Sequence, residues 1–283
     1  MTHLPSFKPT FNGVHRVTLA CGLAAISGLL AMPTAAHDTW LASKQTSVRA
    51  GTELDFDLTS APRFPALDKG PKVERIAKRG CDQNGTALEL TPGAVRPKSL
   101  VLKARVPANA GVICFLELKP LLLDLKISKI NEYLDEIEAP ASVREAWAAS
   151  PTPKRWLETY SKHAKVIVPS AAGKAATTTP TAVGLALEFV PEVDLSIGKL
   201  TGRLPITVLR EGQPLPGLSV ELVSAKDSKG TWLKTDAQGR VDFPPPAVGR
   251  WMLRATDLRP TNAAESTWDS RFATLVFEIL PSR

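Results

Sequence analysis

The sequence is poor in the residues that usually carry enzyme chemistry. It holds three cysteines and four histidines among 283 residues. There is no C-x-x-C pair, which sets redox catalysis aside, and no H-E-x-x-H or H-x-x-x-H, which sets aside a zinc hydrolase. A G-x-S-x-G nucleophile elbow is absent too. Acidic residues are missing from residues 1–16, and charge of either sign is missing from Val17 to Met32. No later segment approaches the roughly 20 apolar residues of a membrane-spanning helix. These absences point away from an enzyme and away from a membrane span beyond the leader.

The acid-free start and the uncharged run are themselves a signal. Lys8, His15 and Arg16 form a basic n-region, and "VTLACGLAAISGLLAM" is an h-region. Thr34 and Ala36 supply small residues three and one before a cut, so residues 1–36 read as a signal peptide cleaved at Ala36–His37. Cys21 offers a rival lipoprotein signal, but Thr18 is a poor lipobox start and little apolar sequence precedes that cysteine. The expectation is an exported, periplasmic protein whose first residue is His37.

The remaining 247 residues can bury one large or two modest cores. Their 33 basic and 28 acidic residues leave a formal charge of +5. The basic residues are scattered, as in "PKVERIAKRG", without interleaved aromatics, so no nucleic-acid partner is expected. Cys81 and Cys114 remain after Cys21 leaves with the leader. An even count in an oxidising compartment favours a disulfide between them over two separate buried thiols. Closing a loop of that length would be worth roughly 3 kcal/mol on the chain-entropy model.

Alternating apolar and polar residues dominate both ends. "TSVRAGTELDFDLTSA", "PKSLVLKARVP" and "GVICFLELKP" read as strands of a first β-sandwich over 37–118. Residues 119–168 read as a helical insertion: Leu125, Ile127, Ile130, Tyr133, Leu134 and Ile137 recur near helical spacing, and Ser142 offers an N-cap to a second short helix. Asp135, Glu136 and Glu138 then fall on a wet helix face. Residues 169–184, "PSAAGKAATTTPTAVG", read as a flexible loop. Over 185–283 four strand segments are punctuated by "EGQPLPG", "DAQG" and "PPPAVG", an antiparallel sandwich with a turn at Asp236–Gly239. The fold class expected is mainly β: two antiparallel, Ig- or prealbumin-like β-sandwich domains with a small α-helical insertion. Trp40, Trp232, Trp251 and Trp268 fall in strand contexts and suit inter-sheet packing.

Several segments also occur in a fixed order in a known family. "HDTWL", "DLTSAPRFPALD", "INEYLDEI", "RWLETYSKHAK", "GLALEFVPEVDL", "GQPLPG" with "TDAQGRVDFP", and "TWDSRFATLVFEI" resemble an exported bacterial domain-of-unknown-function family. The resemblance covers essentially the whole mature chain. Members of that family carry labels as periplasmic components of nickel or cobalt uptake. The C-terminal part is similar to prealbumin-like and carboxypeptidase-regulatory-like modules, which have no chemistry of their own. The resemblance implies a transport accessory with an inner-membrane metal transporter as partner.

The residues allow a concrete site. After cleavage, the α-amine of His37, a group that ordinarily titrates at about 7.7–8.0, and its imidazole Nδ1 can close a six-membered chelate ring on one divalent ion. Nickel, cobalt and copper suit such nitrogen donors. His163 is the other histidine of the mature chain, and Asp38 can add a carboxylate or orient the imidazole. The expected metal set is therefore His37, Asp38 and His163, with no catalytic residues. The alternative is a non-catalytic structural or protein-interaction β-sandwich of the cell envelope with no ligand.

Overall fold

The computed structural model describes residues 1–2, 37–172, 182–227, 229–262, 265 and 267–281. All but two residues of the expected leader, and most of the expected loop at 169–184, lie outside the described residues. Among the described residues sixteen strands fall into three sheets, so the expected mainly β class holds.

One sheet is built from β1 (Asp38–Ser43), β2 (Glu53–Ala61), β6 (Leu100–Arg105) and β5 (Thr91–Val95), in that order. The middle sheet has eight strands. Its order is β13 (Thr231–Lys234), β12 (Ser219–Ser224), β15 (Gly249–Asn262), β16 (Thr267–Ile279), β8 (Leu157–Val168), β7 (Val112–Asp124), β3 (Ile76–Gln83) and β4 (Thr86–Leu88). A third sheet joins β9 (Leu187–Pro191), β10 (Leu204–Arg210), β11 (Gln213–Pro214) and β14 (Arg240–Phe243).

Side chains alternate across a strand, so each strand of the middle sheet can feed two cores. On β8, Ala164, Val166 and Val168 join the core under the first sheet, whereas Ile167 joins the core under the third. On β16, Val276 faces the first core and Ala273, Leu275 and Phe277 the second. The first and third sheets therefore cover opposite faces of the middle one. A strand covered on both faces loses the polar alternation of a surface strand, and β8 is buried at every residue from Lys162 to Val168.

The two expected sandwiches thus share one sheet. Their junction is a parallel pair, β8 with β16, in register from Leu157 with Thr267 to Val166 with Val276. The boundary expected after residue 118 falls inside β7, because Pro120 sits at a register shift between Leu118 and Leu121 where the ladder needs no N–H. The segment expected as a helical insertion, 119–168, accordingly contains β8, a 3-10 turn at Ile127–Lys129 and two short α-helices, α1 (Ile130–Glu136) and α2 (Ala141–Ala148). Ser142 does not cap α2. Pro140 holds the N-cap position, and its carbonyl receives the Val143 and Arg144 amides. This start lets Val143 and Trp147, four apart, bury together.

The helices pack over the near end of β8, β15 and β16, where Trp156, Trp268, Phe272 and Leu258 form a third cluster with Tyr133, Leu134 and Trp147. Trp156 stacks on Trp268 at 4.4 Å and meets Trp147 edge-on at 5.4 Å. Trp268 and Phe272 share their face of β16 with Val276. The helical cap and the first sheet therefore sit on the same face of the middle sheet, one at each end. Between them lies a gap.

Candidate functional site

The gap is floored by β8. Glu158, Tyr160, Lys162 and Ala164 alternate on the face toward the helices and the first sheet. Glu158 is sealed beneath the helices by Tyr133 Oη, Trp156 Nε1 and Ser270 Oγ, which all donate to its carboxylate. Ala164 belongs to the apolar core. Tyr160 and Lys162, between these two, line a cleft of about 390 Å³. Its upper rim is the segment Lys69–Arg75, held against the first sheet by the Ser60–Lys69 backbone pair and the Asp68 amide on Thr59 Oγ1. Gly70 has no alternative there, since a Cβ would stand 2.5 Å from the Ser99 carbonyl carbon. Leu118 and Leu121, on either side of the β7 bulge, supply an apolar wall.

His37 closes the cleft on the side of β1. Its side chain is about nine-tenths buried, and Nδ1 has no hydrogen-bond partner among the described residues. The nearest anion is Asp68 Oδ2, 3.9 Å away. Burial and the neighbouring Lys162 charge push the imidazole below its usual pKa, against the opposing pull of Asp68 and Asp38. His37 is thus held neutral at the wall of the cleft, with Nδ1 buried and unpartnered among the described residues.

The other expected ligands lie elsewhere. Asp38 is in an ion pair with Arg254 Nη1 at 2.5 Å, and Arg254 also pairs with Glu221. His163 follows Lys162 on β8 and so points to the opposite face of the middle sheet. There its Nδ1 donates to the Phe272 carbonyl at 3.0 Å, while Nε2 stands 3.9 Å from Glu117 without a hydrogen bond. Burial lowers its pKa to about 4, only partly offset by the Phe272 carbonyl. A sheet separates His37 from His163. Among the described residues no group of three or more His, Cys, Asp or Glu side chains is placed to hold a metal ion. Cys81 and Cys114, opposite each other on β3 and β7, form the expected disulfide with Cα atoms 4.0 Å apart.

What sequence reasoning missed is the cationic character of the cleft. Lys162 is buried, and Nζ donates to the His37 carbonyl at 2.5 Å beside the rings of Tyr160 and Phe272. No carboxylate comes within ion-pairing distance of it among the described residues. Burial lowers its pKa to about 8, with Asp38 opposing and Arg75 adding to the fall. Arg75 donates Nη2 to the Lys119 carbonyl at 2.7 Å and leaves a buried Nε without a partner. Lys69 and Lys72 stand on the rim, and no carboxylate lines the cleft among the described residues. The strand period of "ETYSKHAK" put Tyr160 and Lys162 on one face, and that signal was readable. The approach of Lys69–Arg75, some 90 positions earlier, was not. Glu136, expected on a wet helix face, is instead half-buried toward Asp38 and Arg254, and burial with Asp38 raises its pKa to about 7.

The family model described as Domain of unknown function (DUF4198) matches residues 34–257. The chain belongs to that family. No curated protein matches it. Among solved structures, the D0-D1 domain of intimin is 12% identical, covering 84% of this chain and 97% of that one at a TM-score of 0.18. Native alpha-2-macroglobulin from Escherichia coli, domains MG0-NIE-MG1, is 10% identical over 84% and 95% at 0.20. The mouse nectin-like molecule 4 ectodomain is 10% identical over 86% and 64% at 0.17. Likenesses this slight carry nothing about ligand or partner. Among the described residues of this DUF4198 chain, no helix is long and apolar enough to cross a membrane.

Proposed function

We propose that this chain is an exported, non-catalytic binding protein that takes a divalent transition-metal ion, nickel, cobalt or copper, at a processed amino terminus and passes it to an uptake system in the inner membrane. The observation that carries the reading is the buried, unpartnered Nδ1 of His37, in a side chain about nine-tenths buried, at the wall of a cleft. A buried ring nitrogen without a partner is costly, roughly 1–3 kcal/mol, unless a ligand meets it. Cleavage after Ala36 would place the α-amine on the same residue and complete the chelate with Nδ1. Asp68 Oδ2, 3.9 Å from Nδ1, takes the third-donor role first expected of His163. Asp38 keeps its ion pair with Arg254 and serves to fix the strand that presents His37.

Intact mass of the exported protein should begin at His37, and titration with Ni²⁺ and Cu²⁺ should give one site per chain. One extra residue before His37 should abolish that site, and Asp68→Asn should weaken it about tenfold. His163→Ala should leave it unchanged. A start elsewhere, or binding indifferent to the added residue, overturns the metal reading. What then stands is an interaction module of the envelope, to which Leu121 and Leu122 on the exposed stretch of β7 contribute apolar surface.

A further inference from the structure

We infer that the cleft beside His37 is a binding site for a small organic polyanion, held by Lys162 at its base and by Lys69, Lys72 and Arg75 at its rim. The inference stands on the cations and the cleft, and does not depend on whether His37 takes a metal.

Three observations lead to it. First, the charge is unbalanced where it is least screened. A buried ammonium is normally paired with a carboxylate, because removing it from water costs several kcal/mol. Lys162 has the His37 carbonyl and two aromatic faces, with Asp38, Glu158 and Glu136 acting on it only from beyond ion-pairing distance. Second, the polar groups are incompletely matched: Arg75 Nε is buried without a partner, as is the nearly buried Nδ1 of His37. Two residues lining one cavity thus carry buried polar atoms that the chain leaves unmatched, and such groups call for a partner. Third, the cavity is too large for an inorganic ion and is not wholly polar. At about 390 Å³ it lies in the usual range of roughly 300–1,000 Å³ for small-molecule sites. The wall of Leu118, Leu121 and Tyr160 would cover a short carbon skeleton, while the cations take its charged ends.

The anionic groups themselves are carboxylates or a phosphate ester; both accept from ammonium and guanidinium donors. Asp68, half-exposed beside the rim, would repel such a ligand at its edge and so favours placement toward Lys162. If a metal also binds at His37, the same anion would offset its charge and furnish oxygen donors, which reconciles a cation site with four cationic neighbours.

The test is calorimetric titration of the exported protein, freed of metal by chelator and dialysis, with citrate and with glycerol 3-phosphate at low salt. Binding of either with a dissociation constant below about 1 mM is expected, and the tighter of the two identifies the head group. Lys162→Met and Lys69→Glu should each weaken it tenfold or more; the exposed Lys69 variant keeps the test valid should the buried one misfold. Lys229→Glu, on an exposed turn elsewhere, should change nothing. Raising salt from low to physiological should weaken binding severalfold. No binding of either probe, or binding that Lys69→Glu and Lys229→Glu leave alike, overturns the site. A terminus extended before His37 abolishes metal binding under the preceding proposal but leaves anion binding in metal-free protein intact, so the two readings fail separately.

Discussion

Lys162 and Lys165 stand three residues apart on one strand, both buried, and the fold treats them in opposite ways. Lys165 faces the third sheet, where Nζ meets Glu188 Oε1 at 2.6 Å and the Phe189 carbonyl at 3.2 Å. Glu188 also gathers the amides of Val183, Gly184 and Leu185. That cation is matched on every side by the chain itself. Lys162 faces the cleft with one carbonyl. The difference separates a charge kept for structure from a charge left for something outside the chain to balance.

Removing each lysine should expose the contrast most strongly. Lys165→Met strands the buried Glu188 carboxylate, and breaking a buried pair from one side costs about 3–5 kcal/mol. Denaturant midpoints at pH 7 should fall accordingly. Lys162→Met removes an unmatched buried cation and should shift stability by less than about 1 kcal/mol, in either direction. Equal losses for the two variants would end the comparison.

His163 provides a second break, on the face of Lys165. The imidazole is neutral and buried, with a pKa of about 4 in the fold against 6.5 unfolded. The unfolded chain therefore binds the proton more readily between those values. Stability from this group is complete above about pH 6.5 and drains away as pH falls toward 4, by about 3 kcal/mol. His163→Asn keeps a donor for the Phe272 carbonyl and cannot titrate. Denaturation at pH 7.5 and 4.5 should show a smaller acid loss for the variant by that margin, and the same loss would refute the assignment.

Much of this was legible in the sequence, and the illegible part has a common cause. Strand periodicity marked the β-rich ends, the Asp236–Gly239 turn and the apolar face of α1, all of which are local patterns. Cysteine count and compartment pointed to Cys81–Cys114. "YSKHAK" fell inside the segment read as a helical insertion, whereas it lies on a strand that sheets cover on both faces. Pairing β8 in parallel with β16 brings residues about 110 positions apart together, and no local pattern carries that information. The cleft depends on it. His37 was singled out for its future α-amine, and the structure adds what sequence cannot give: burial, an unpartnered Nδ1 and the cations around the cleft.

A modest effect on stability tests the cleft from its rim. Gly70 lies where a Cβ would meet the Ser99 backbone, at 2.5 Å from the carbonyl carbon and 2.6 Å from the Leu100 nitrogen. Gly70→Ala must therefore push the Lys69–Arg75 segment away from the first sheet. No residue of that segment is buried, so the loss of stability should be modest, about 1 kcal/mol. Its effect on the cleft should be larger in proportion, because Lys69, Lys72 and Arg75 move together while Lys162, anchored on β8, does not. Titration with the better of the two anions should then show weaker binding for Gly70→Ala than its stability change accounts for. Unchanged affinity would mean that the rim cations are not part of the site, and that Lys162 faces the cleft alone.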